Sequence, residues 1–391
     1  TTLSLRRHRL HLISDRVTLA TASSSVKLNN ILPKKEWLTL HTLTGHTSGL
    51  FSAEYSPDGQ HILTASWEGT AGIWNANTGM RIATLSHKSE VKSAKYSPDG
   101  KFIVTASWDK TAAIWDAKTG QQVHVLSGHK AEVNRASYSP DGKFIATEST
   151  DGTAMIWDAN TGGHLRTLDV AKDTTIMSLR YSPDGQYIAM AKRDGTADIW
   201  NTTTGKRENV LRAHTGWVNA AEYSPDGKHL VTIGQDDATP ILWNAFVGTQ
   251  EHHLNGHRGG ITAVSYSPDG RRIVTASSDE TAIIWDVDTG QLLYRLVGHS
   301  DSLQAVTYSP DGQRIVTASS DNTAIIWDAS TGQQKHLLTG HQKDVHSAKF
   351  SPDGQRIVTT SGDATAKIWE PFYKLDVGDV AEEESTFYHL V

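Results

Sequence analysis

Cysteine is absent from the 391 residues of this chain. Disulfide bonds, thiolate metal sites and a cysteine nucleophile are therefore excluded, while the compartment stays undecided on that ground. Long apolar runs are missing as well: no stretch approaches 18 residues, so no transmembrane helix is expected. The opening Thr-Thr-Leu-Ser-Leu has neither a methionine nor an apolar signal core. That fits a processed protein or a piece of a longer one, with the cytoplasm as the expected location. Basic residues form no dense run beyond Arg6-Arg7-His8-Arg9, which reads as a solvated strand edge, and the formal net charge is -6. Nucleic-acid and membrane partners are accordingly not expected. Proline is scarce too, with 11 in all, and eight of those occupy one recurring tetrapeptide.

That tetrapeptide, Ser-Pro-Asp-Gly, starts at Ser56, Ser97, Ser139, Ser182, Ser224, Ser267, Ser309 and Ser351, in steps of 41, 42, 43, 42, 43, 42 and 42 residues. A fixed period near 40 marks a repeat architecture. Units of this size cannot each bury a core and must stack together, so the length does not imply several domains.

One unit, Ala305 to His341, shows the pattern. Ala305 to Tyr308 alternates and reads as a strand, and Ser309-Pro-Asp-Gly312 turns the chain. Pro310 presets φ, Asp311 can bond its own backbone, and Gly312 supplies positive φ at low cost. Arg314 to Ser319, Thr323 to Trp327 and Gln334 to Leu338 follow as three more strands, with turns at Ser320-Asp-Asn322 and Ser330-Thr-Gly332. The preceding unit, Ala263 to His299, agrees at 27 of 37 positions, and the differences gather in the fourth strand, which is therefore expected outermost. Four-stranded antiparallel meanders hide their edges best by closing into a ring.

Gly-His near the start of a unit, an aspartate in the second turn and Trp-Asp at the end of the third strand resemble the WD-repeat β-propellers. The likeness covers Gly45 to Trp369, and the Ser-Pro-Asp-Gly turns are similar to bacterial WD-repeat arrays, which often serve as sensor or scaffold parts of larger signalling chains. The resemblance implies a buried hydrogen-bond chain of histidine, hydroxyl, aspartate and tryptophan in each blade. His257, Thr275, Asp279 and Trp285 form one such set, His299, Thr317, Asp321 and Trp327 a second, and His341, Thr359, Asp363 and Trp369 a third. Glu68 replaces the aspartate in the first unit. Lys172 and Met190 replace histidine and hydroxyl in the fourth, and the fifth carries an extra residue between Asp236 and Trp243, with Pro240 inside it. These units are expected to be the looser ones.

The expected fold is an all-β propeller over residues 1–377, with eight clear repeats in 44–377, a degenerate repeat in 1–43 and an acidic tail in 378–391. Ser14-Asp15 lies 42 residues before Ser56, and Arg16 to Ser23 mimics a second strand. Eight and nine blades are both open. With eight, Trp37 to Leu43 completes the blade begun after His341; with nine, Phe372 to Val377 finishes that blade. The intact period back to Ser14 tips the expectation toward nine.

No phosphate loop with lysine, His-Glu-x-x-His or Gly-x-Ser-x-Gly is present. Seven of the 19 histidines fall in the structural slot, and the adjacent His252 and His253 would point to opposite faces of a strand. Asp286-Val-Asp288 lacks the ligand spacing of a calcium loop. No metal, cofactor or catalytic residue is expected.

Eight of twelve tryptophans belong to the repeat, which leaves Trp37, Trp67, Trp108 and Trp217. Trp67 and Trp108 directly precede the turn acid, a position the resemblance puts on the rim of the binding face, and Arg193 holds the same slot in the fourth unit. A second rim slot early in the first strand holds Phe51, Lys92, Asn134, Met177 and Asn219, with Trp217 nearby. Large adhesive side chains thus gather on units one to five, and units six to eight carry small polar ones. The favoured function is a non-catalytic scaffold or sensor that binds a protein or peptide there. A structural subunit would instead spread its contacts over the outer strands. A small-molecule binder or enzyme would place a polar cluster unique to some blades on the axis. The tail, with Glu382-Glu-Glu384 and Phe387 to Val391, is expected to be disordered, with a docking peptide as the alternative.

Overall fold

A computed structural model describes residues 11–13, 16–18, 34–170, 174–212 and 214–374 of the chain. All regular elements among them are strands. Eight four-stranded antiparallel sheets follow one another in sequence order. Blade 1 is Leu50–Tyr55, His61–Ser66, Thr70–Asn75 and Arg81–Ser86, and the first of these strands is the innermost. The innermost strands of blades 2 to 8 are Val91–Tyr96, Val133–Tyr138, Ile176–Tyr181, Val218–Tyr223, Ile261–Tyr266, Leu303–Tyr308 and Val345–Phe350. Each touches the next around the ring, and the strand of blade 8 touches that of blade 1.

The ring has eight blades; the expected ninth does not form. Lys34–Leu43 pairs along the whole of Ala366–Lys374, from Lys34 opposite Lys374 to Leu43 opposite Ala366, and becomes the fourth strand of blade 8. Phe372 therefore extends the third strand of that blade and starts no strand of its own; Val377 lies outside the described residues. The physical reason is edge coverage. The N-terminal strand hides an edge that would otherwise stay open, and it buries Trp37 between blades 7 and 8 and Leu43 between blades 8 and 1. Of the degenerate repeat, His11–Ile13 and Arg16–Thr18 pair as a separate two-stranded hairpin. Ser14-Asp15, the basic cluster at Arg6 and the C-terminal tail lie outside the described residues.

The core is divided into eight apolar clusters, one between each pair of neighbouring blades. Leu63, Ile73 and Leu85 of blade 1, for example, meet Val91, Ile103 and Trp115 of blade 2. No blade buries its own faces, which is why the units stand only as a ring.

The Ser-Pro-Asp-Gly turns form a second ring on one face. In blade 1 the Ser56 hydroxyl donates to Asp58, whose carboxylate also accepts the Gln60 N–H, while the His61 N–H donates to Ser56 Oγ. Gly59 takes φ +71, and a Cβ there would sit 3.6 Å from Pro352 of blade 8. The same glycine-on-proline contact recurs from Gly100 on Pro57 to Gly354 on Pro310, so each turn rests on its neighbour and the seam is closed like every other joint.

Candidate partner-binding face and central channel

Seven blades hold the buried hydrogen-bond chain. In blade 7 the Trp327 indole donates to Thr317 Oγ1 (2.9 Å), Thr317 lies 2.8 Å from His299 Nε2, and His299 Nδ1 is 2.7 Å from Asp321. Burial, the largest influence, holds the His299 pKa below the usual histidine value. The ring is then neutral, with its proton on Nδ1 facing the carboxylate, and Thr317 donates to Nε2. Burial alone would raise the Asp279 pKa, but hydrogen bonds from Thr281, Arg258 N–H and His257 outweigh it and leave the acid at about 2. His257, Thr275 and Trp285 in blade 6 and His341, Thr359, Asp363 and Trp369 in blade 8 repeat the geometry. In blade 1 the longer Glu68 still reaches His46 Nδ1 at 2.5 Å and also accepts from Thr47.

The fifth unit corrects the sequence reading. Its acid is Asp237, 3.0 Å from His214, so the extra residue lies before the acid and the spacing to Trp243 is regular. Blade 4 replaces the chain altogether. Met190 offers no hydroxyl, the Trp200 indole N–H has no partner among the described residues, and Lys192 lies 3.0 Å from the fully buried Asp198. Lys172 lies outside the described residues.

On the face opposite the Ser-Pro-Asp-Gly turns, five of the nine expected contact residues join into one cluster across blades 1 to 3. The Trp67 ring packs on Phe51 with centroids 5.0 Å apart. Lys92 Nζ lies 3.7 Å from the Phe51 centroid and 5.3 Å from that of Trp108, and the Trp108 indole donates to Asn134 Oδ1 at 3.0 Å. Burial, then the charge of Arg135, lowers the Lys92 pKa. Trp67 remains 51% and Trp108 39% exposed. Arg193 and Trp217 form a separate pair, with the guanidinium 3.8 Å above the ring. Asn219 donates to Ile261 O at 3.4 Å across to blade 6, and Met177 is half-buried as the second residue of its strand.

Sequence reasoning missed the channel. Near the Ser-Pro-Asp-Gly mouth, the fifth residue of the innermost strand is charged in five blades: Glu54, Lys95, Arg180, Glu222 and Lys349. Lys95 Nζ lies 2.5 Å and Lys349 Nζ 3.8 Å from Glu54 Oε2, and Arg180 Nε lies 2.8 Å from Glu222. One layer further in, Arg135 stands opposite Glu148 in the strand register, with Nε 3.3 Å from Oε1. The available signal was departure from the repeat, because five other blades have alanine at the Glu148 position: Ala65, Ala106, Ala191, Ala276 and Ala318. His252 and His253, by contrast, bond Asp288 O and Gln250 separately.

Burial pushes the Glu148 pKa up to about 7, against the smaller opposing pull of Arg135 and Arg180. Between the ordinary value of 4.5 and about 7, the native state holds a proton that the unfolded chain has released. Stability from this group therefore falls as pH rises through that window. Glu148→Ala is expected to remove this slope and to stabilise the protein by roughly 1–3 kcal/mol at pH 8, with little change at pH 4.5. Urea unfolding of both proteins at the two pH values measures it.

Comparison with known proteins agrees with this architecture. Residues 37–75, 79–116 and 120–158 match the family model described as WD domain, G-beta repeat, and residues 162–370 match that of the TolB beta propeller domain. Protein Mut11 of Chlamydomonas reinhardtii is 31% identical over 65 residues, which is 17% of this chain and 18% of that protein, so the chain matches less than a fifth of that relative's length. The crystal structure of the computationally designed Ika8 protein superimposes with a TM-score of 0.77 at 26% identity, covering 85% of this chain and 99% of that one. Blades 5 to 8 carry the same His-Thr-Asp-Trp chain as the units that match the WD domain, with blade 4 the exception, and blades 6 and 7 also end their third strands in Trp-Asp; the chain belongs to the WD-repeat β-propellers.

Proposed function

We propose that this protein is a non-catalytic interaction scaffold that holds a protein or peptide partner on the tryptophan-bearing face of blades 1 to 5. WD-repeat propellers generally mediate protein–protein interaction. The observation that carries the reading here is the cluster of Trp67, Phe51, Lys92, Trp108 and Asn134. Two indoles are left part-exposed yet fixed in place, by stacking in one case and by a hydrogen bond in the other. Preorganised aromatic groups at solvent are the residues that dominate interface energetics. Exposed apolar residues on the outer strands, such as Ile82, Val125, Leu165 and Leu337, are distributed around the ring and are ordinary for a protein surface.

The test is a pull-down, with captured species quantified by mass spectrometry, that compares the native protein with Trp67→Ser/Trp108→Ser. Capture should weaken by at least about tenfold, while the melting temperature barely moves. Unchanged capture overturns the proposal, and so does a large fall in melting temperature, which would make the two indoles packing residues. A second reading, ligand binding in the channel, is favoured by the charged cluster there.

A further inference from the structure

The charged residues of the channel mouth are unevenly matched. Going round the innermost strands from blade 8 to blade 5, the fifth positions read Lys349, Glu54, Lys95, Ser137, Arg180 and Glu222. Two lysines share the one carboxylate of Glu54, which also accepts the Tyr96 N–H at 2.9 Å. Arg180 has Glu222 on its far side. Three basic side chains thus face two carboxylates. Like charge from Lys95, and then burial, hold the Lys349 pKa well below the usual lysine range. On blades 6 and 7 the same level carries only Ser265 and Thr307.

Between Lys95 and Arg180 the ring offers only the hydroxyl of Ser137, and here the structure has room. A cavity of about 420 Å³ opens at the Ser-Pro-Asp-Gly mouth, lined by Lys95, Ser137 and Arg180, by Glu54 at its edge beside Lys95, and by the tyrosines that end the innermost strands of blades 1 to 4. The hydroxyls of Tyr96, Tyr138 and Tyr181 in this lining are buried without a partner among the described residues. That tyrosine recurs in other blades; the two cations on either side of a serine do not. The volume falls in the range of small-molecule pockets, and polar groups converge on it.

We propose that this mouth binds a small ligand carrying a phosphate or carboxylate group, seated over Ser137 between Lys95 and Arg180, with Lys349 adding to the field. An oxyanion placed there supplies the missing negative charge and meets ammonium and guanidinium donors with charge-assisted hydrogen bonds. The site lies on the face opposite the tryptophan cluster and is independent of it.

The test uses the full chain, with inorganic phosphate and succinate titrated separately at constant ionic strength against chloride. Binding is read by calorimetry and by the rise in melting temperature. At least one of the two anions should bind, and which one does assigns the group as phosphate or carboxylate. Ser137→Asp, which places a negative charge in the gap, should weaken binding at least tenfold. Lys349→Gln, which changes one part-exposed side chain, should weaken it several-fold and serves if the first variant fails to fold. Trp67→Ser/Trp108→Ser should bind the anion normally, so this site and the partner face fail or stand separately. No response to either anion beyond that of chloride overturns the proposal, as does binding that is unchanged in a folded Ser137→Asp or in Lys349→Gln.

Discussion

Replacing Asp198 with alanine will destabilise the protein by about 3–5 kcal/mol, because it strands a buried lysine. Asp198 is fully buried, Lys192 Nζ lies 3.0 Å away, and Arg207 approaches the same carboxylate at 3.5 Å from a more exposed position. In the strand register Asp198 stands opposite Met190, two residues from Lys192 on the same face, so the pair bridges diagonally within the sheet. Once the acid is gone, Lys192 keeps, among the described residues, only Asp194 at 3.4 Å, on a part-exposed turn. The desolvation of the ammonium group is then hardly compensated. Lys192→Met in the same background should recover most of the loss, since the two changes together remove both charges. Urea unfolding of the two single variants and the double variant measures the coupling. Additive effects would show that blade 4 does not depend on this pair.

Thr317→Val in blade 7 will cost roughly 2–6 kcal/mol, at about 1–3 for each of the two polar groups it leaves orphaned. The change nearly conserves volume, but it removes the acceptor of the Trp327 indole and the donor to His299 Nε2 at once. A weaker alternative for the hydroxyl, Ile325 O at 3.4 Å, is lost without consequence because that carbonyl is already in the sheet. A loss below about 0.5 kcal/mol would show that the chain of hydrogen bonds is incidental to stability. Blade 4 is the natural contrast: there Met190 stands at this position, and the Trp200 indole already lacks a partner among the described residues.

The hydrogen-bond chains were legible because each lies within one repeat, at spacings that recur. The fifth was misplaced by one residue. Pro240 drew the extra residue to the wrong side of the acid, although Asp237 lies six positions before Trp243, as Asp279 lies six before Trp285. The rim tryptophans were legible as what the repeat leaves over. That Lys92 joins Phe51 to Trp108 was not, because the contact spans neighbouring blades. The channel was the least legible. Glu54, Lys95 and Arg180 look like ordinary half-exposed strand residues, and only the curvature of the ring turns them toward one axis.

By itself the sequence determined the repeating unit, its four strands, its turns and its internal hydrogen bonds, since all of these depend on residues within about 40 positions of one another. The number of blades was decided by tertiary structure, because it turns on which strand covers the last open edge. The period back to Ser14 suggested nine; the pairing of Lys34–Leu43 with Ala366–Lys374 makes eight. Closure also explains why Ser-Pro-Asp-Gly recurs without loss. Each turn satisfies its own hydrogen bonds locally, but its glycine must lie flat against the proline of the blade before, and at the seam that neighbour is almost 300 residues distant, Gly59 on Pro352.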